Sequence, residues 1–122
     1  MDRSSLLDKY RKHPMFGEHD IQRFDERGMC EDTPLHLAAM NGAADELEFM
    51  IREVVSVDVA GDIGNTPLHM AVMFGNAAVV EILLKNGARI DASNDYGVRP
   101  LDFLGENADE VMSVVRRFHP SR

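Results

Sequence analysis

A single cysteine, Cys30, is all that this 122-residue chain possesses. One thiol cannot close an internal disulfide and cannot build a cysteine-based zinc site, and its use fits a reducing compartment. Long apolar runs are missing as well. No stretch approaches the roughly 20 residues needed to cross a bilayer, and the opening MDRSSLLDKYRKHP is too weakly apolar for a signal peptide. The chain is therefore expected to start near Met1, to stay cytoplasmic and to have no membrane partner. Basic residues are in the minority, 13 Lys and Arg against 21 Asp and Glu for a net charge of -8. Phosphate-backbone binding draws its free energy from cations displacing counterions, so no nucleic-acid partner is expected. Low-complexity tracts are absent too. With 44% hydrophobic and 28% charged residues, the composition is that of one folded domain with a real core.

What the sequence does contain is a repeat. TPLHLAAMNG at residues 33–42 returns 33 residues later as TPLHMAVMFG at 66–75. The same shift aligns Asp25, Asp58 and Asp91, the apolar residues before them (Phe24, Val57, Ile90), and the pairs Pro34-Leu35, Pro67-Leu68 and Pro100-Leu101. Three phases of one unit identify a solenoid. The division is a cap at 1–23 and units at 24–56, 57–89 and 90–122, within one domain over 1–122.

Each unit reads as two helices and a projecting turn. Thr33 and Thr66 stand where a hydroxyl can cap a helix start, and Pro34 and Pro67 occupy the first helical position, where the missing N–H costs nothing. Ala38, Ala39 and Ala71 are small enough for close helix approach, and Gly42 and Gly75 end the first helix. NAAVVEILLKNG then makes a second helix with Val79, Val80, Ile82, Leu83 and Leu84 on its apolar face, an expected Glu81–Lys85 pair four apart, and Gly87 as terminator. The turns DVAGDIGN (58–65) and DASNDYGV (91–98) are rich in turn formers. In the third unit Arg99 replaces Thr, Asp102 replaces His, and the last helix aligns better at a shift of 32, with Val111, Met112, Val114 and Val115 on Val79, Val80, Ile82 and Leu83. Its outer face, with Asp109, Glu110, Arg116 and Arg117, suits a terminal unit. At the other end Ser4 or Ser5 is expected to cap a helix carrying Leu6, Leu7 and Tyr10 up to His13-Pro14.

Two intact Thr-Pro-Leu-His tetrads 33 residues apart, with the surrounding helix and turn pattern over 24–104, resemble the ankyrin repeat. The resemblance implies an all-α solenoid of helix-turn-helix units with hairpin fingers, here three repeats plus an N-terminal capping helix.

The residues give no sign of catalysis. His36 and His69 share one repeat position, where a ring nitrogen can bond the opening threonine or a neighbouring finger, and they are read as structural. His13, His19 and His119 lack the spacing of paired metal ligands, so no metal is expected. Cys30 has neither a base nor an activating neighbour in the sequence and is an ordinary thiol. Asp45-Glu46 and Asp109-Glu110 are adjacent rather than converging across a cleft, and no phosphate-binding glycine loop or nucleophile elbow occurs. The chain is read as no enzyme and without cofactors.

In the repeat class that the chain resembles, finger tips and exposed first-helix positions line a concave face and vary freely while the scaffold stays regular. Those positions here include Met29, Asp32, Asp62, Ile63, Asn65, Asp95, Tyr96 and Val98 on the fingers, and Met40, Asn41, Met73 and Phe74 on the first helices. Apolar anchors flanked by acids have the make-up of a protein-binding site. The expectation is a monomeric, non-catalytic module that clamps a partner protein and inhibits or shields it. Small free-standing proteins of this kind resemble, among others, immunity proteins that neutralise a toxin, and an acidic binder suits a basic one. Alternatives are an adaptor or cyclin-dependent kinase inhibitor and, in a different class, a regulatory subunit of an enzyme. The eight acids of residues 25–57 against Arg27 and Arg52, a net -6, are expected to make the first repeat the focus of the negative field.

Overall fold

In the computed structural model residues 1–17, 20–105 and 107–119 are described, with only the backbone at Met29. The expectations for His19 and for the Met29 side chain fall outside these. Among the described residues six α-helices follow one another: α1 Arg3–Arg11, α2 Pro34–Asn41, α3 Ala44–Ile51, α4 Pro67–Met73, α5 Ala77–Lys85 and α6 Ala108–Phe118. Single 3₁₀ turns sit at Met29–Glu31, Asp62–Gly64 and Pro100–Phe103. Among the described residues there is no strand beyond an isolated bridge between Gly105 and Asn107. The fold is all-α.

The helices stack in two rows. α2 packs on α4 and α4 on the 3₁₀ turn of the third unit, while α3 packs on α5 and α5 on α6; within a unit α2 meets α3 and α4 meets α5. One core runs through the stack, from Leu6, Leu7 and Tyr10 in α1 through Leu35, Ala38, Leu47, Leu68, Ala71, Val79 and Leu83 to Val111, Val114 and Val115 in α6. Ala38, Ala39 and Ala71 are wholly buried, so the inner helices come together over small side chains. The shift of 32 in the last helix is visible directly, since Val111, Val114 and Val115 are buried and Met112 packs against the core.

The Thr-Pro starts behave as the hydroxyl and the proline dictate. Thr33 and Thr66 are N-caps that accept from the backbone N–H of His36 and His69, and each proline opens its helix. At the end of α2, Gly42 takes the left-handed conformation (φ 68°) that lets its N–H close back on the helix. The third unit, with Arg99 where the others have Thr, shows a one-turn 3₁₀ helix where α2 and α4 run through two turns. Arginine has no hydroxyl to accept the helix N–H, although Asp102 Oδ2 still accepts from the Arg99 N–H at 2.9 Å.

Two local expectations are corrected. α1 is capped by Asp2, whose carboxylate accepts from the Ser5 N–H, and Ser4 and Ser5 lie inside the helix. Asp2 is one helical turn earlier and, being charged, also complements the helix dipole. Glu81 pairs with Arg117 across the α5–α6 interface rather than with Lys85 one turn along its own helix, tying the terminal helix to its neighbour.

Candidate protein-binding face

The side chains that could meet a partner are carried on fingers, and the fingers are rigid because the chain laces each to the next. Each tip closes with the same backbone bond: the N–H of Gly28, Gly61 and Asn94 donates to the carbonyl of Asp32, Asn65 and Val98, at 2.8, 2.8 and 2.9 Å. Between the first and second fingers, Asp62 N–H donates to Asp32 Oδ1 at 2.8 Å and the Arg27 guanidinium donates to the Ala60 carbonyl. Between the second and third, Asn94 Nδ2 donates to Asn65 Oδ1 and Asp95 N–H to the Ile63 carbonyl, both at 2.9 Å. Gly61 is required by this lacing, since a Cβ there would stand 2.2 Å from Asp32 Oδ1 and 2.7 Å from His36 Nε2.

His36 and His69 fasten the fingers to the helices. The Thr33 N–H donates to His36 Nδ1 at 3.2 Å, so Nδ1 carries the lone pair and Nε2 carries the proton, which it gives to the Asn65 carbonyl at 2.8 Å. His69 repeats the arrangement with Thr66 N–H (3.0 Å) and the Val98 carbonyl (2.8 Å). Both rings are fully buried, and burial lowers their pKa below the ordinary 6.5, against the raising effect of the carbonyl each one bonds. Each imidazole is thus a neutral clamp joining one unit's helix start to the next unit's finger, which accounts for the recurrence of the tetrad. Phe103 meets the His69 ring edge-on, with centroids 5.8 Å apart.

The twelve residues expected on the binding face separate by exposure. Asn41, Asp62, Ile63, Phe74, Asp95 and Tyr96 are exposed, with Ile63 at 40%, Phe74 at 46% and Tyr96 at 75%. Asp32 and Asn65 are buried at 7% and 5% and are the acceptors of the finger lacing, so they are not the free positions that the repeat frame made of them. Met40 and Met73 are half-buried and pack against the core, and Val98 is half-buried while its carbonyl holds His69. The backbone of Met29 opens the first tip. Asp62, Ile63, Asp95 and Tyr96 are brought together on two laced fingertips, and Asn41 and Phe74 lie at the far ends of the first helices.

The first-repeat negative field is weaker than its sequence suggests, because basic residues from outside that segment fold onto it. Arg3 pairs with Glu53, Lys9 with Glu46 and Arg23 with Asp25. Burial works to raise the carboxyls of Asp25 and Glu46, but hydrogen bonds to Asp25 from Arg23 and the Val55 N–H, and to Glu46 from Lys9 and Tyr10, outweigh it and hold both below their ordinary values. By contrast Asp62 and Asp95 are exposed and, among the described residues, belong to no ion pair. Asp45 and Glu48 on α3 are likewise exposed and, among the described residues, in no ion pair, so unneutralised acid remains there as well as at the fingertips.

Sequence reasoning missed two groups. Asn76 Nδ2 donates to the Ala39 and Met40 carbonyls at 2.8 and 3.0 Å, and Asn107 Nδ2 to the Gly75 carbonyl at 2.8 Å, each satisfying the end of the preceding unit's first helix. Their recurrence before α5 and α6 was the available signal. The other is Glu31, with φ 67° at the tip position held by Gly64 and Gly97 in the later fingers.

Among the described residues no group of His, Cys, Asp and Glu could hold a metal ion, and no helix is long and apolar enough to cross a membrane. A search of curated proteins gave no match. The family model for ankyrin repeats (3 copies) matches residues 8–94, ending before Arg99 and Asp102 depart from the tetrad. Ankyrin repeats are in general protein-interaction modules and typically non-catalytic. With that match over most of its length, and with the helix pairs, fingers and Thr-Pro-Leu-His clamps in place, this chain belongs to the ankyrin-repeat family.

Proposed function

We propose that the chain is a non-catalytic binder that seats a partner protein on its fingertips and inner helices, and that by covering the partner it inhibits or shields it. The observation that carries this reading is the exposure of Ile63, Phe74 and Tyr96 on a scaffold that does not need them. The core is closed by other side chains, and among the described residues every buried polar side-chain atom has a hydrogen-bond partner. Large apolar groups left on a rigid frame are available as anchors, and a frame laced in advance spends little free energy on ordering when it binds. The acidic balance, a net charge of -8, favours a basic partner, and a basic toxin that the binder neutralises is the specific candidate.

The test is the double substitution Phe74→Ala and Tyr96→Ala, measured against the protein captured from the source cells. Loss of two anchors weakens binding by more than about ten-fold while the unfolding temperature stays close to wild type. A large fall in unfolding temperature with unchanged affinity would assign both rings to folding instead.

A further inference from the structure

We infer that the tips of the second and third fingers form a docking edge for a basic partner segment in which Arg or Lys side chains sit beside apolar ones; this rests on the binding face proposed above. Each tip offers one exposed carboxylate followed directly by one exposed apolar side chain, Asp62 with Ile63 and Asp95 with Tyr96. The two pairs share one surface, because the Asp95 N–H is bonded to the Ile63 carbonyl and Gly64 lies so close to Asp95 that a Cβ on it would come within 2.5 Å of Oδ1. Ile63 is held at φ 48°, a conformation a β-branched residue rarely adopts, and so is presented in one orientation by the lacing around it.

Charge selects the occupant. Glu46 on α3, Glu53 and Asp25 are answered by Lys9, Arg3 and Arg23, whereas Asp62 and Asp95, like Asp45 and Glu48 on α3, belong to no ion pair among the described residues; of these four only Asp62 and Asp95 are followed directly by an exposed apolar side chain. A guanidinium or ammonium set between them would gain Coulomb attraction without displacing an existing pair, and Ile63 and Tyr96 would cover its aliphatic stem. An acidic segment would meet like charge at both tips.

The probes are three synthetic peptides, repeats of Arg-Leu-Gly, Glu-Leu-Gly and Arg-Gly-Gly, each titrated into the isotopically labelled full chain and followed by backbone amide shifts. The Arg-Leu-Gly peptide is expected to move the amides of 61–65 and 94–97. Arg-Gly-Gly should bind the same amides several-fold more weakly, and Glu-Leu-Gly should leave them unmoved. Asp62→Asn with Asp95→Asn, which keeps side-chain size and the backbone bonds, should lower affinity for Arg-Leu-Gly by about ten-fold at an unchanged unfolding temperature. Equal binding of the Glu-Leu-Gly peptide, no binding of Arg-Leu-Gly, or shifts confined to Asp45 and Glu48 on α3 would each overturn the inference. If the captured partner loses affinity with the Phe74/Tyr96 variant but not with the Asp62/Asp95 variant, this inference fails alone; if neither variant loses affinity, the binding face itself is wrong.

Discussion

Glu31 is the residue most at odds with its own repeat. At the same finger position Gly64 and Gly97 have φ 78° and 75°, while Glu31 is held at 67° with a Cβ to accommodate. Glu31→Gly should therefore raise stability, by about 1 kcal/mol in a denaturant titration, because it relieves left-handed strain at an exposed tip; a loss of stability would show that Glu31 makes a contact worth more than the strain. The two buried histidines set a pH dependence at the same scale. Their folded pKa values lie below 6.5, so the neutral rings contribute stability that is complete above that pH and declines as pH falls through 6.5 toward the folded values. The unfolding temperature should accordingly fall between neutral and mildly acidic pH, and His36→Gln should flatten part of that slope. An unchanged slope in the variant would place the titration elsewhere. The role of His36 and His69 was legible from their shared position in the repeat. The burial of Asp32 and Asn65 was not, because a finger position that varies in type looks free until its partner on the next finger is known.

Among the elements, α1 and the third unit show how a short stack ends. α1 covers the first repeat with Leu6, Leu7 and Tyr10 inward, and the Tyr10 hydroxyl donates to Glu46 Oε1 at 2.7 Å, with burial first and then Glu46 raising the phenol's pKa far above its usual range. Tyr10→Phe should cost about 1 kcal/mol through loss of a hydrogen bond to a charged acceptor and should raise the Glu46 pKa, which carboxyl titration by NMR would reveal. If Glu46 titrates unchanged, Lys9 alone holds it. At the far end of each first helix Asn76 and Asn107 act as inter-unit braces, and Asn76→Ala, which orphans two helix-terminal carbonyls from a side-chain donor, should cost about 1–2 kcal/mol in chemical unfolding. The helix pairs could be read from Thr-Pro starts and glycine ends with little error, since those signals are local. The cap of α1 and the partner of Glu81 could not, because several donors and acceptors compete there and only the packed arrangement decides between them.

At the scale of the molecule the fold was legible because one unit is written three times, so each repeat corroborates the others. The electrostatic surface was less so, since Arg3 and Lys9 reach Glu53 and Glu46 only after the cap folds back. What remains is a laced row of fingers on which Ile63 and Tyr96 stand exposed outside the core, and this is where the account places the partner. Hydrogen exchange of the full chain, alone and with its captured partner, tests that placement most directly. The account predicts new protection at 61–65, 94–98 and the ends of α2 and α4, with the outward faces of α3 and α6 unchanged; protection confined to those outer helices would contradict it.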